Sequence, residues 1–222
     1  AGQNTHLTAT ESELEDLRYQ HSTAQSRIES LHQIQTQYEG FSDSVKIFMQ
    51  LMKENQVTKK KLGVSGLLAD YISVSEKILT AVSPVMAEVL DWVVIERAAD
   101  FPELEKFSKE HELGQLKFVA LDRPSSVPQE ITKKGTPLPE ILEFKAPLKE
   151  WGENFFSRFT LLKDEIDFWN EYGNNQPAAP HEWLSSSGLR LTNSNVSIGK
   201  VQSGSLGFLQ RQQQIVDVEK YA

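Results

Sequence analysis

The residues able to do chemistry in this 222-residue chain are few and poorly spaced for it. Gly63-Val64-Ser65-Gly66 is too short to cradle a phosphate, no GxxxxGK(S/T) run occurs, and Gly199-Lys200 lacks the upstream glycine and following hydroxyl. His6, His21, His32, His111 and His181 show no metal-ligand spacing, and the lack of cysteine removes thiolate zinc sites, cysteine nucleophiles and disulfides. Glu103 with Glu105, and Asp164, Glu165 and Asp167, have the composition of acid/base pairs, but acidic residues in a first helical turn complement the helix dipole and face solvent. Trp151, Phe155, Phe156 and Phe159 have rings that stack on bases, yet their helical spacing assigns them to a core. What remains is charge. Lys53, Lys59, Lys60 and Lys61 cluster in a loop without base-reading neighbours, which suits weak, salt-sensitive phosphate contacts or, equally, a solvated loop that protects a sheet edge.

The elements around these residues form an α/β pattern. From Lys61 to Glu96 a glycine-punctuated turn leads into an apolar strand over Leu67 to Val74, a helix from Ser75 to about Leu90 that Pro84 should kink or split, and a strand over Trp92 to Ile95. Ile78, Leu79, Val82, Val85, Met86 and Val89 keep helical spacing and need a sheet to cover them. Before this module, Ser42 to Asn55 reads as a helix with Val45, Phe48, Met49 and Met52 inward; after it come a helix over Pro102 to His111, a strand over Gln115 to Leu121 and a loop from Pro124 to Pro139. A second half begins near Leu138. It has a short strand over Ile141 to Phe144, the aromatic helix, an extended run over Phe159 to Leu162, and a helix over Lys163 to Tyr172 with Ile166, Trp169 and Phe168 inward. Trp183 to Ser186, Leu189 to Thr192 and Val196 to Val201 close it as three short strands.

Both ends carry heptads. Leu7, Leu14, His21, Ile28 and Gln35 fall at one seam position and Thr10, Leu17, Ala24, Leu31 and Tyr38 at the other, with neither Pro nor Gly between them. Phe208, Ile215, Val218 and Ala222 make a shorter second seam. Each stripe is too narrow to hold a helix alone, so the two should pair antiparallel, leaving the first heptads of the longer arm uncovered. The net charge of −8 argues against a wholly nucleic-acid-binding surface but leaves room for a local basic patch. An apolar share of 39% supports a true core, and no run approaches the ~20 apolar residues of a membrane span. With no signal peptide and no cysteine, the expectation is a soluble protein of a reducing compartment.

The order Gly63-Val64-x-Gly66-Leu67-Leu68-Ala69-Asp70, then Trp92-Val93-Val94-Ile95-Glu96, then Leu113-Gly114-Gln115-Leu116-Lys117-Phe118-Val119-Ala120-Leu121-Asp122-Arg123, flanked by coils, resembles the hinge domain of SMC (structural maintenance of chromosomes) proteins, the bacterial form more closely. The resemblance covers about residues 39 to 210. It implies a mixed α/β (α+β) fold, a two-lobed hinge inserted at the tip of an antiparallel coiled coil. The arms would be residues 1–39 and 208–222, and the hinge residues 40–207, with lobes at about 40–124 and 138–207. It further implies a non-catalytic dimerisation hinge of a chromosome-organising ATPase, cytoplasmic and nucleoid-associated, without cofactor, membrane or small-molecule substrate. The homodimer would form through the second lobes by strand edges at Ile198, Gly199, Val201, Gly204 and Gly207, and weak DNA contact would fall to Lys53, Lys59, Lys60, Lys61 and Arg211. Family members carry paired glycines before the C-terminal coil, whereas this chain has only Gly199, Gly204 and Gly207 there, which implies a looser or altered contact. The alternatives are a small α/β enzyme, which would need a convergent pocket, and a coiled-coil adaptor unrelated to chromosomes.

Overall fold

Helix α1 (Gly2–Thr36) extends over about 50 Å at 1.5 Å per residue. The computed structural model describes residues 2–123, 135–174, 181–192, 195–198 and 204–221, with backbone alone at 2–12, 171–174 and 220–221. Ala24, Ile28, Leu31, Gln35 and Tyr38, all heptad positions, are half-buried, whereas Leu14 and Leu17 are exposed. Their cover is α8 (Gly204–Tyr221), which packs against α1 on one side and against the globular part on the other. The pairing is antiparallel, because the end of α1 meets the start of α8: the Phe41 and Phe208 rings meet edge to face at 5.3 Å, and Arg211 Nη2 donates to the Glu39 carbonyl at 2.8 Å.

In lobe one, Ser42 caps α2 (Asp43–Glu54) by accepting from the Val45 N–H, and α2 buries Val45, Phe48, Met49 and Met52. The lysines that follow do not lie in a loop. Asn55 Oδ1 accepts from the Thr58 N–H at 3.0 Å and starts α3 (Gln56–Lys61), so Lys59, Lys60 and Lys61 occupy the last turn of a short helix, where cations suit the dipole. The expected strand over Leu67 to Val74 is also different. Strand β1 (Val64–Leu67) starts earlier, a 3₁₀ turn at Leu68–Asp70 interrupts the run, and β2 (Ile72–Ser73) resumes it. The physical cause is Asp70, whose Oδ2 accepts from the Leu67 N–H at 2.8 Å and closes the turn.

Helix α4 (Glu76–Val89) runs through Pro84 unsplit. Proline leaves the Thr80 carbonyl without its helical N–H, and the Ser83 hydroxyl donates to that carbonyl at 2.9 Å instead. Ser75 precedes the helix without a side-chain cap bond. Strand β3 (Val93–Ile95) pairs antiparallel with β1 and parallel with β4 (Phe118–Ala120), giving a three-stranded sheet in the order β1-β3-β4. Between β3 and β4 lies α5 (Phe101–Glu110), whose entry turn is held by Asp122 Oδ1 accepting from the Ala98 N–H at 2.8 Å.

Lobe two opens with β5 (Thr136–Pro137), a 3₁₀ turn at Leu138–Glu140 and β6 (Glu143–Phe144), which pairs back onto β2 of lobe one. Helix α6 (Lys149–Phe156) presents the aromatic run, β7 (Phe159–Leu161) follows, and α7 (Glu165–Asn174) crosses over to β8 (Glu182–Leu184), parallel to β7. Strands β9 (Arg190–Leu191) and β10 (Val196–Ser197) complete a five-stranded sheet in the order β10-β9-β8-β7-β5. Of the three residues expected inward in α7, Phe168 is buried, whereas Ile166 and Trp169 are exposed. Asp164 Oδ1 accepts from the Asp167 N–H, which fixes the start of α7 and with it the face that Phe168 occupies.

The division into two lobes is a division of sheets and not of cores. Trp151, Phe155, Phe156, Phe159 and Leu184 of lobe two belong to the same continuous core as Phe48, Val85, Met86 and Val94 of lobe one. A second, small core of Leu162, Phe168, Trp183 and Leu191, with Leu189 and Val196 at its margin, lies under α7 on the other side of the lobe-two sheet.

Candidate functional site

Strand β10 ends the lobe-two sheet. It pairs with β9 in the register Val196↔Leu191 and Ser197↔Arg190, and the connecting turn is held by Thr192 Oγ1 bonded to Asn195 Oδ1 at 2.8 Å. Among the described residues no strand pairs with its outer edge. Side chains alternate across a strand, so Val196 lies on the small-core face and Ser197 on the opposite one; Ile198 continues the small-core face past the edge and is 75% exposed. An exposed branched apolar residue on an unpaired edge is a template for another chain.

The other sheet also has an open edge. Among the described residues β4 pairs only with β3, and beside it runs a groove of about 480 Å³ whose apolar walls are Phe101, Leu104, Leu116 and Phe118, with Glu105, Ser108 and Gln115 also lining it.

Of the remaining residues named for the dimer contact, Gly199 and Val201 lie outside the described residues. Gly204 sits at the arm root, where its backbone touches that of Gly40, and Gly207 lies next to the Arg211 side chain. The cation set is likewise spread out. Lys53 and Lys60 are exposed, Lys61 lies 3.7 Å from Glu103, Lys59 is half-buried near Asp70, and Arg211 is engaged at the arm root with the Glu39 carbonyl. The acidic pairs have structural partners: Glu105 holds Lys109 at 2.6 Å, Glu103 faces Lys61, and Asp164 caps α7. Trp151, Phe155, Phe156 and Phe159 are buried, with Trp151 stacked on Phe155 at 4.6 Å. Among the described residues no three His, Asp or Glu are placed to share a metal ion.

Asp70 sits where α3, the arm root and the lobe-two connection meet. Burial raises its carboxyl pKa above the ordinary 3.8, against the opposing pull of the Leu67 N–H, Lys145 and Lys59. The sign follows directly. Below the ordinary pKa the carboxyl is protonated in both states; as pH climbs, the unfolded chain releases its proton first and folded stability falls until the raised pKa is passed. Asp70→Asn, whose amide oxygen still accepts from the Leu67 N–H, is expected to melt at a higher temperature than the parent at neutral pH. The gap should close as pH drops below 3.8, in thermal unfolding followed across pH. A parent that instead loses stability relative to Asp70→Asn on acidification would contradict the buried-carboxyl reading.

Two features had no distinct sequence signal, the Gly40–Gly204 approach and the open β4 edge. A third had a faint one: Arg190, a charged residue between Leu189 and Leu191, bridges Glu182 and Glu88.

Residues 60–165 match the family model described as the SMC proteins Flexible Hinge Domain. A curated relative, the chromosome partition protein Smc of Myxococcus xanthus (strain DK1622), is 31% identical over 126 residues, 56% of this chain and 10% of the relative. Among solved structures, an asymmetric dimer of the Geobacillus stearothermophilus SMC hinge domain aligns over 100% of this chain and 89% of its own, with a TM-score of 0.77 at 16% identity. The Pyrococcus furiosus SMC protein hinge domain covers 79% of this chain and 88% of its own, with a TM-score of 0.56 at 17% identity. The fold is therefore the SMC hinge fold. Among the described residues no helix is long and apolar enough to cross a membrane.

Proposed function

We propose that this chain, whose residues 60–165 match the SMC flexible hinge model, is the point where two copies join, so that the coiled-coil arms α1 and α8 of each form a ring or V. The hinge itself is non-catalytic. The arms lead to ATP-driven parts of a longer, chromosome-associated protein, since the matched region spans about a tenth of the curated relative. One observation carries the reading: among the described residues β10 is an edge strand, and Ile198, which follows it, is 75% exposed. A partner strand set against that edge supplies directional backbone hydrogen bonds and covers Ile198. The acceptor is the partner's β4 edge, because its apolar groove has room for such a side chain, and in a two-fold pair this contact forms twice. The test is mass in solution. Sedimentation equilibrium at tens of micromolar is expected to give twice the 25.1 kDa of one chain, and a single-chain mass would overturn the proposal.

A second role, weak DNA contact, rests on α3, which gathers Lys59, Lys60 and Lys61 in one turn with exposed Lys53 nearby on α2. Cations without base-reading partners bind phosphates regardless of sequence, with an affinity that falls steeply with salt. Changing Lys59, Lys60 and Lys61 together to Glu is expected to abolish the low-salt binding of a labelled duplex, read by fluorescence anisotropy. Unchanged affinity removes this patch from the account.

A further inference from the structure

The β9–β10 hairpin that carries the open edge is not held by its own lobe alone. Arg190 of β9 faces Ser197 of β10 on one side and Leu184 of β8 on the other, so its side chain lies on the sheet face opposite Val196, Leu191 and the small core. On that face its Nε donates to Glu182 Oε2 at 2.5 Å and its Nη1 to Glu88 Oε2 at 2.7 Å. Glu182 belongs to the neighbouring strand, but Glu88 belongs to α4 of lobe one. The Arg190 side chain is 16% exposed and its guanidinium lies 5.7 Å from the centre of the Phe159 ring, while Arg158, stacked on Phe155 at 4.2 Å and on Phe159 at 4.7 Å, is the neighbouring cation. The same seam has a second close approach: a Cβ on Gly188, in the turn before β9, would collide with the Thr80 carbonyl of α4. Two contacts on α4, from Gly188 just before β9 and from Arg190 at its start, therefore hold the same end of the hairpin's first strand.

We propose that Arg190 is a positioning residue for the dimer contact: by bridging Glu182 and Glu88 it ties the β9–β10 hairpin to α4 and holds the β10 edge in the pose that a partner strand requires. The proposal deepens the hinge-dimer reading and rests on it for the partner. The physical logic lies in the unequal exposure of the two carboxylates. Glu182 is 14% exposed and keeps Arg190 paired inside the sheet, whereas Glu88 is 47% exposed and adds only the tie to lobe one. Removing the Glu88 side-chain acceptor altogether therefore leaves Arg190 paired with Glu182 and the core intact, and frees the hairpin to shift. Trp92 Nε1 bonds to the Glu88 backbone carbonyl, which a side-chain change leaves in place.

Glu88→Ala, which takes away the acceptor for Arg190 Nη1, separates the two claims when read in two ways. Amide hydrogen exchange in dilute monomer is expected to speed up about tenfold at Arg190, Leu191, Val196 and Ser197 and to stay unchanged in β1 and β3; unchanged exchange at the hairpin overturns the tether, whether or not the parent dimerises. Sedimentation is expected to show a dimer dissociation constant about tenfold weaker than the parent's, with the same cooperative unfolding. Faster exchange with an unaltered dissociation constant overturns the link between the tether and pairing. A parent that is itself monomeric overturns the hinge-dimer reading and with it that link, while the exchange measurement still decides the tether.

Discussion

Ile198→Glu is expected to leave the chain folded and monomeric. Ile198 is 75% exposed, so the substitution removes almost no packing within one chain. In a dimer the same side chain is covered, and fully burying an isoleucine contributes roughly 1.5–3 kcal/mol. A glutamate there forfeits that gain and adds the cost of desolvating a charge, twice over in a two-fold pair. At about 1.4 kcal/mol per factor of ten, the dissociation constant should weaken at least about a hundredfold. Thermal unfolding of the variant at dilution should match the parent, since the small core of Leu162, Phe168, Trp183 and Leu191 is untouched. A variant that sediments as the parent does would remove Ile198 from the contact.

The second large effect lies at the arm root. Gly40 has φ +97, and a Cβ built on it would run into the backbone carbonyl of Gly204; a Cβ on Gly204 would in turn strike the backbone of Gly40. Two backbones cross here with no side chain between them, at the point where α1 and α8 leave the hinge. Gly40→Ala pays both for the left-handed backbone and for forcing the crossing apart, about 1–3 kcal/mol for the strained residue alone. The melting temperature should fall by several degrees, and α1, whose described packing partner is α8, should become an early site of proteolysis. Gly204→Ala should act in the same direction. Gly207→Ala is the contrast: its Cβ would meet only the far end of the Arg211 side chain at 3.2 Å, so it should be tolerated.

The parts of the fold that were legible in the sequence are those set by local periodicity. The heptad positions Ala24, Ile28, Leu31 and Gln35 of α1 are half-buried, as is Tyr38 just beyond it, and the α4 face of Val82, Val85, Met86 and Val89 is buried. What was not legible depends on one side chain choosing a partner. Asp70 turns an apolar run into a 3₁₀ turn, and Asn55 converts a lysine-rich loop into α3. Asp164 sets the phase of α7, so that of three neighbouring apolar residues only Phe168 is buried. In each case a polar side chain satisfies a backbone N–H and overrides the hydrophobic pattern. The shared core and the Arg190 bridge are products of tertiary packing between segments distant in sequence, for which no spacing rule exists. For the candidate site, the extended run at Val196 and the solvent-facing Ile198 were within reach of pattern reading. The acceptor edge at β4 was not, because an edge is defined by what fails to pair with it.

The shared core also bears on how a hinge of this kind moves. The β2–β6 pairing crosses between the lobes, and Trp92 of lobe one packs against Phe155 of lobe two at 5.6 Å, so bending between lobes would open the main core.

The most direct measurement of the central claim is amide hydrogen exchange at residues 196–198 as a function of protein concentration. Edge pairing between copies predicts that exchange at Ser197 and Ile198 slows as concentration rises through the dimer transition seen by sedimentation, with β4 slowing in parallel. Exchange at these residues that stays fast and independent of concentration, while the mass doubles, would place the contact elsewhere and contradict the account.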